Sequence, residues 1–104
     1  MAQFDVFANP VASARSSYPY VVVLQSNISC GAGDIIVAPL APRTKVASLA
    51  GRLLPIVSIE GGEFVVMINS LTALPAAELR RKLTNLTNSR SAILSAIDLL
   101  FFGI

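Results

Sequence analysis

Apolar and polar positions change period several times along this chain, and the changes mark its elements. Gln3-Phe-Asp-Val-Phe7 alternates apolar and polar, the period of two expected of a half-buried strand. Ala8 to Pro19, rich in Ala, Ser and Pro, reads as a loop. Tyr20-Val-Val-Val-Leu-Gln25 is β-branched and nearly continuous, which predicts a central, well-buried strand. Asn27 to Gly33 reads as a turn. Ile35-Ile-Val-Ala-Pro-Leu40 forms the next strand, with Pro39 at its edge or end because proline brings no N–H to a ladder. Pro42 to Leu54 holds Pro42, Gly51 and small residues, and leaves open a loop, a short irregular strand or one helical turn. Ile56 to Ile59, then Glu60-Gly-Gly, then Glu63 to Ile68 is the clearest hairpin, its glycines supplying the positive φ of the turn. Leu71 to Leu74 adds a strand stopped by Pro75.

From Ser91 the period lengthens to that of a helix. At about 100° per residue, Ile93, Ala96, Ile97, Leu100 and Phe101 gather on one face. Ser91, Ser95 and Asp98 lie opposite, and Phe102 falls with them. Thr87 is a plausible N-cap, with Asn88 the alternative, and Gly103 supplies the stop. An aromatic on the polar side of a terminal helix, followed by Gly103 and Ile104, is poorly explained by the protein's own core. Either a partner docks there, or Phe102 packs under a loop or across a homodimer seam. Short strands and one terminal helix together predict a mainly β, antiparallel, barrel-like domain with the helix laid against it.

Composition sharpens this picture. The 104 residues suit one domain, 1–104. Hydrophobic residues make up 54% and charged residues only 13%, about half the usual charged share. So much apolar surface in a small domain predicts self-association, most simply a symmetric dimer. A net charge of +2 is too weak for a nucleic-acid scaffold, and Arg80-Arg81-Lys82 reads as a solvated strand edge or loop. No signal peptide or spanning apolar run is visible, and Cys30 is the only cysteine. These features predict a cytoplasmic protein with no membrane partner.

Candidate chemistry is sparse. The chain has no histidine, and one cysteine cannot anchor a zinc site, so no metal and no cofactor is expected. Gly31-Ala-Gly33 has neither the lysine nor the helix of a phosphate cradle behind it. The acidic residues Asp5, Asp34, Glu60, Glu63, Glu78 and Asp98 are scattered, and no serine sits in a nucleophile elbow. No catalytic residue is assigned; the chain is built to bind.

Four blocks carry a resemblance: Met1-Ala-Gln-Phe-Asp-Val-Phe7, Val23-Leu-Gln-Ser-Asn-Ile28, Leu54-Pro-Ile-Val-Ser-Ile59 and Ala96-Ile-Asp-Leu-Leu-Phe-Phe-Gly-Ile104. In order and over the whole length, the chain resembles the CcdB toxins of bacterial toxin–antitoxin modules. The resemblance implies an SH3-like antiparallel barrel of the CcdB/MazF type with a C-terminal α-helix, assembled as a homodimer. It implies a DNA gyrase poison that is not an enzyme: paired C-terminal tips enter the gyrase A-subunit dimer and trap the complex in which DNA is cut. A cognate antitoxin with a disordered tail neutralises it, and the toxin makes no direct sequence-specific contact with nucleic acid. The gyrase-binding positions carried over are Phe102, Gly103 and Ile104, with Asp98 and Ile28. The family typically has tryptophan where this chain has Phe102, and often an amide where it has Asp98. Ala8 to Pro19 falls in a segment that the family turns towards its antitoxin.

Two other readings remain open at this level. A MazF/Kid-type endoribonuclease shares the barrel, with Arg43, Arg80 and Arg81 as candidate cations but no base paired with them. A non-toxic remnant that only binds antitoxin is kept alive by Phe102.

Overall fold

The computed structural model describes residues 1–26, 33–46 and 53–103. The expected turn from Asn27, with Ile28 and Cys30, lies outside the described residues apart from Gly33, and so does Ile104. Among the described residues, seven strands form one sheet: β1 Asp5–Ala8, β2 Tyr20–Val23, β3 Asp34–Pro42, β4 Ile56–Ile59, β5 Gly62–Val66, β6 Thr72–Pro75 and β7 Lys82–Asn85. The helix α1 spans Arg90–Phe102. The strand order is β4-β5-β3-β2-β1-β7, with β6 also paired to β3, and these pairings are antiparallel. The sheet curls into a half-barrel and α1 packs against it, so the mainly β expectation holds.

The unbroken apolar run of β2 has a simple cause: both of its faces are covered. Val22 and Leu24 join Ala38, Leu40, Val6, Phe4 and Ile68 in the main core, closed by Ile93 and Ala96 of α1. Val21 and Val23 point the other way, into a second cluster with Ile35, Val37, Phe7 and Leu79. Each fully buried Val or Ile contributes about 1.5–3 kcal/mol relative to exposure, so these central strands hold the domain together. A third cluster, Ala41, Leu54, Val65 and Met67, gathers around the pairing of Ala41 on β3 with Val65 on β5.

Pro39 does not end its strand, as the sequence suggests, because β3 runs on to Pro42. On one side β3 pairs continuously with β2. On the other it pairs with β6 through Asp34–Val37 and with β5 through Leu40–Pro42. Pro39 stands between the two partners, where its missing N–H interrupts neither ladder, and its carbonyl accepts the Met67 N–H at 2.9 Å.

The N-terminal strand is shorter than its alternation suggests. Phe4 adopts a positive φ of 70°, and its N–H donates to the Val23 carbonyl at 2.7 Å, so regular pairing starts at Asp5. Asp5 itself is buried, at 2% exposure, where a half-buried strand would have turned it to solvent. Its side-chain partners, Lys82 and Asn85, come from β7, a strand that Lys82-Leu-Thr-Asn85 hardly advertises with one apolar residue in four. Asn85 pairs with Asp5 in register, and a bulge between Val6 and Phe7 lets β7 reach Lys82 against Phe7.

The β4–β5 hairpin forms as expected, with one difference. Its turn residues are Glu60 and Gly61, with φ of 50° and 83°, while Gly62 already pairs with Ile59. That is the primed two-residue turn that matches strand twist, and it asks a glutamate to take the left-handed region. The strand then ends at Val66 rather than Ile68, which opens a 3-10 turn over Ile68–Ser70. Of the three options for the segment after Pro42, one helical turn appears at Arg43–Lys45; residues 47–52 lie outside the described set.

Candidate functional site at the end of the helix

The polypeptide enters α1 through a 3-10 turn, Thr87–Ser89. Thr87 does not cap the helix, and Ser89 stands at the N-cap without a side-chain hydrogen bond. The Asn85 Oδ1 instead accepts the Thr87 N–H at 2.8 Å and the Thr87 hydroxyl, fixing the approach to the helix one turn earlier. At the other end Gly103 takes φ of 73° and donates its N–H to the Leu99 carbonyl at 3.0 Å, the left-handed cap expected of it.

Ile93 and Ala96 anchor the helix, both fully buried. Leu94 and Ile97, partly buried, pack against the same core. Here the helical-wheel expectation needs correction. Leu100 and Phe101, which belong to the inward face by periodicity, are 37% and 59% exposed. The helix packs on the turn at Ile68–Ser70, and its last turn stays open to solvent. What remains beside it is an apolar groove of about 360 Å³, lined by Leu24, Gln25, Ile36, Leu71, Ile97 and Phe101. The periodicity argument missed this groove because Ile36 and Leu71 come from other elements.

Phe102 is 72% exposed, as its place on the polar face predicts. Asp98 is exposed one helical turn before it, so carboxylate and ring share a face. Gly103 is exposed beyond them. The structure therefore brings Asp98, Phe102 and Gly103 together on a protruding tip; Ile28 and Ile104 lie outside the described residues. The tip offers an aromatic face, a carboxylate and bare backbone. Among the described residues no cluster of His, Cys, Asp and Glu is arranged to hold a metal, and no helix is long and apolar enough to cross a membrane.

The family described as CcdB protein matches residues 3–103, essentially the whole chain, and the chain belongs to that family. No curated protein matches it. Membership makes it a toxin of the toxin–antitoxin kind.

Proposed function

We propose that this member of the CcdB family is a non-catalytic DNA gyrase poison acting as a homodimer. One observation carries the reading: a large aromatic, Phe102, stands exposed at the end of a helix whose first turns are locked into the core by Ile93 and Ala96. Exposing a phenyl ring on a rigid support is unfavourable unless a partner covers it. That partner is DNA gyrase, at its A-subunit dimer. Phe102 stacks on a cationic or apolar surface, Gly103 lets the backbone approach closely, and Ile104 fills a small pocket. Asp98 accepts hydrogen bonds on the same face, and Ile28 adds apolar contact.

Dimerisation accounts for the neighbouring residue. Phe101, Leu100 and the groove walls Ile36 and Leu71 give an apolar surface beside the tip that a second copy can cover. Two copies joined there present two Phe102 rings to the two-fold A-subunit dimer of gyrase. The toxin breaks no bond itself. It holds gyrase in the cleaved-DNA state by binding that state best, which is how a ligand shifts any conformational equilibrium. The cognate antitoxin competes for the toxin, in the cytoplasm, where gyrase works.

Phenylalanine in place of tryptophan weakens the tip by about 0.5–1 kcal/mol per site if the ring faces a guanidinium. That single substitution favours the alternative of an attenuated, antitoxin-binding remnant. The deciding experiment incubates the protein with gyrase, supercoiled plasmid and ATP, then scores linear DNA after detergent. Linear product that vanishes when the last three residues are removed supports the poison; a folded dimer that yields none refutes it.

A further inference from the structure

The basic run before and at the start of β7 does not act as one unit. Lys82 is drawn to Asp5, its Nζ 3.2 Å from Oδ1. Arg80 and Arg81 instead line a cleft of about 580 Å³, where Arg15, distant in sequence, joins them. Ala8, Pro10 and Glu78 complete its lining with Asn9. The frame of the cleft is fixed by hydrogen bonds. The Ala8 N–H donates to the Arg81 carbonyl at 3.1 Å, which ties the segment after β1 to the approach to β7. Asn9 is buried, its Nδ2 donates to the Tyr18 carbonyl and its Oδ1 accepts the Val11 N–H. Glu78 closes a 3-10 turn that the buried Leu79 anchors.

Two of the three guanidiniums are held by the backbone. Arg15 Nε donates to the Asn9 carbonyl at 2.6 Å, and Arg80 Nε donates to the Ala77 carbonyl at 3.2 Å. Both bonds use the inner nitrogen, so most of the terminal N–H groups keep no protein acceptor among the described residues. Among those residues no carboxylate lies within ion-pair distance of Arg15, Arg80 or Arg81, although Glu78 lines the same cleft. Three uncompensated cations in a concave site attract an anion more strongly than the same charges on a flat surface.

We infer that this cleft binds a small phosphorylated ligand, a nucleoside phosphate, through Arg15, Arg80 and Arg81. A carboxylate brings two oxygens and fills one guanidinium fork. A phosphoryl group brings three acceptor oxygens and up to two charges, so it engages several guanidiniums at once. Glu78 selects against a bare polyphosphate, which it repels. It favours a ligand that also carries hydrogen-bond donors, and ribose hydroxyls supply them. Ala8 and Pro10 give the base an apolar surface, and the volume falls in the range of small-molecule sites. A long nucleic acid fits less well, because the net charge is only +2 and Glu78 interrupts the basic surface. The site shares no residue with the tip of α1 and stands apart from the gyrase reading.

Isothermal titration calorimetry of the full chain with ADP, without added divalent metal, tests this. Adenosine, pyrophosphate and a short single-stranded RNA serve as comparisons. ADP is expected to bind saturably, with adenosine and pyrophosphate each about tenfold or more weaker. Arg81→Gln and Arg80→Gln each weaken ADP by about tenfold at unchanged melting temperature, while Arg90→Gln, the same loss of charge on α1, leaves binding intact. Glu78→Gln narrows the gap between ADP and pyrophosphate by about threefold or more, because it relieves the repulsion of pyrophosphate and weakens acceptance from the ribose hydroxyls. Four results would overturn the proposal: no saturable binding of ADP, equal weakening by Arg90→Gln, pyrophosphate or RNA bound as tightly as ADP, or a gap that Glu78→Gln leaves unchanged.

Discussion

Asn85 Nδ2 donates to Asp5 Oδ1 at 2.9 Å across 80 residues of sequence, and this bond stitches β7 onto β1. The same carboxylate accepts the Ala2 N–H at 2.8 Å through Oδ2 and the Lys82 ammonium through Oδ1. Burial alone would raise the Asp5 pKa. The hydrogen bonds from Asn85, Ala2 and Lys82, with the Lys82 charge, outweigh burial and hold it below the ordinary carboxylate value of 3.8.

Because the folded-state pKa is depressed, the ionised form stabilises the fold at every pH above the unfolded value, and that contribution is lost as pH falls through 3.8 and below. Asp5→Asn, which cannot accept at both oxygens, costs about 1–3 kcal/mol at neutral pH. Urea midpoints of the two proteins should converge as pH is lowered below about 4. A constant gap would remove Asp5 as the source.

Ile93 and Ile97 lie one turn apart on α1 but differ in depth. Ile93→Ala empties a fully buried site and costs about 2–5 kcal/mol by chemical denaturation. Ile97 is only partly buried at the rim of the groove, so Ile97→Ala costs less than half as much. Ile97→Asp is expected to weaken self-association before it unfolds the chain, which light scattering beside circular dichroism distinguishes. Equal costs for the two alanines would show that the end of α1 is as deeply seated as its start.

Phe102→Ala removes a ring that is 72% exposed, so stability changes by no more than about 0.5 kcal/mol. Gyrase cleavage should disappear. Phe102→Trp should enhance it about two- to fivefold, from the stronger cation–π face. A Phe102→Ala protein that melts far below the wild type would instead place the ring in the core.

Glu60 takes φ of 50° next to Gly61 at 83° in the β4–β5 turn. Asparagine tolerates that region better and Asn-Gly is the preferred pair for such a turn, so Glu60→Asn should stabilise by about 0.5–1 kcal/mol. A rise in thermal midpoint reads this out. A fall would mean that the glutamate side chain contributes more than its backbone strain costs.

Much of the fold was legible because burial imposes a period. The apolar run of β2 announced a strand covered on both faces, and the Glu60-Gly-Gly signal announced a hairpin. The β7 strand stayed hidden, since Lys82-Leu-Thr-Asn85 is an edge segment whose partners are a buried aspartate and backbone rather than apolar neighbours. At the candidate site the wheel correctly set Asp98 and Phe102 on one outward face. It put Leu100 and Phe101 inside because a periodicity cannot know how much of a helix face the rest of the fold covers.

By itself, then, the sequence determined the class of structure, the hairpin, the helix with its Gly103 cap, and the family to which the chain belongs. These are local signals: side-chain period, turn chemistry and a run of matching residues are written along the chain. Only the tertiary structure decided that Asp5 would be buried against β7, that β3 would change partners at Pro39, and that Arg15 would meet Arg80 and Arg81 across a cleft. Each joins residues far apart in sequence, and such pairings follow from how the sheet closes, which no local pattern encodes.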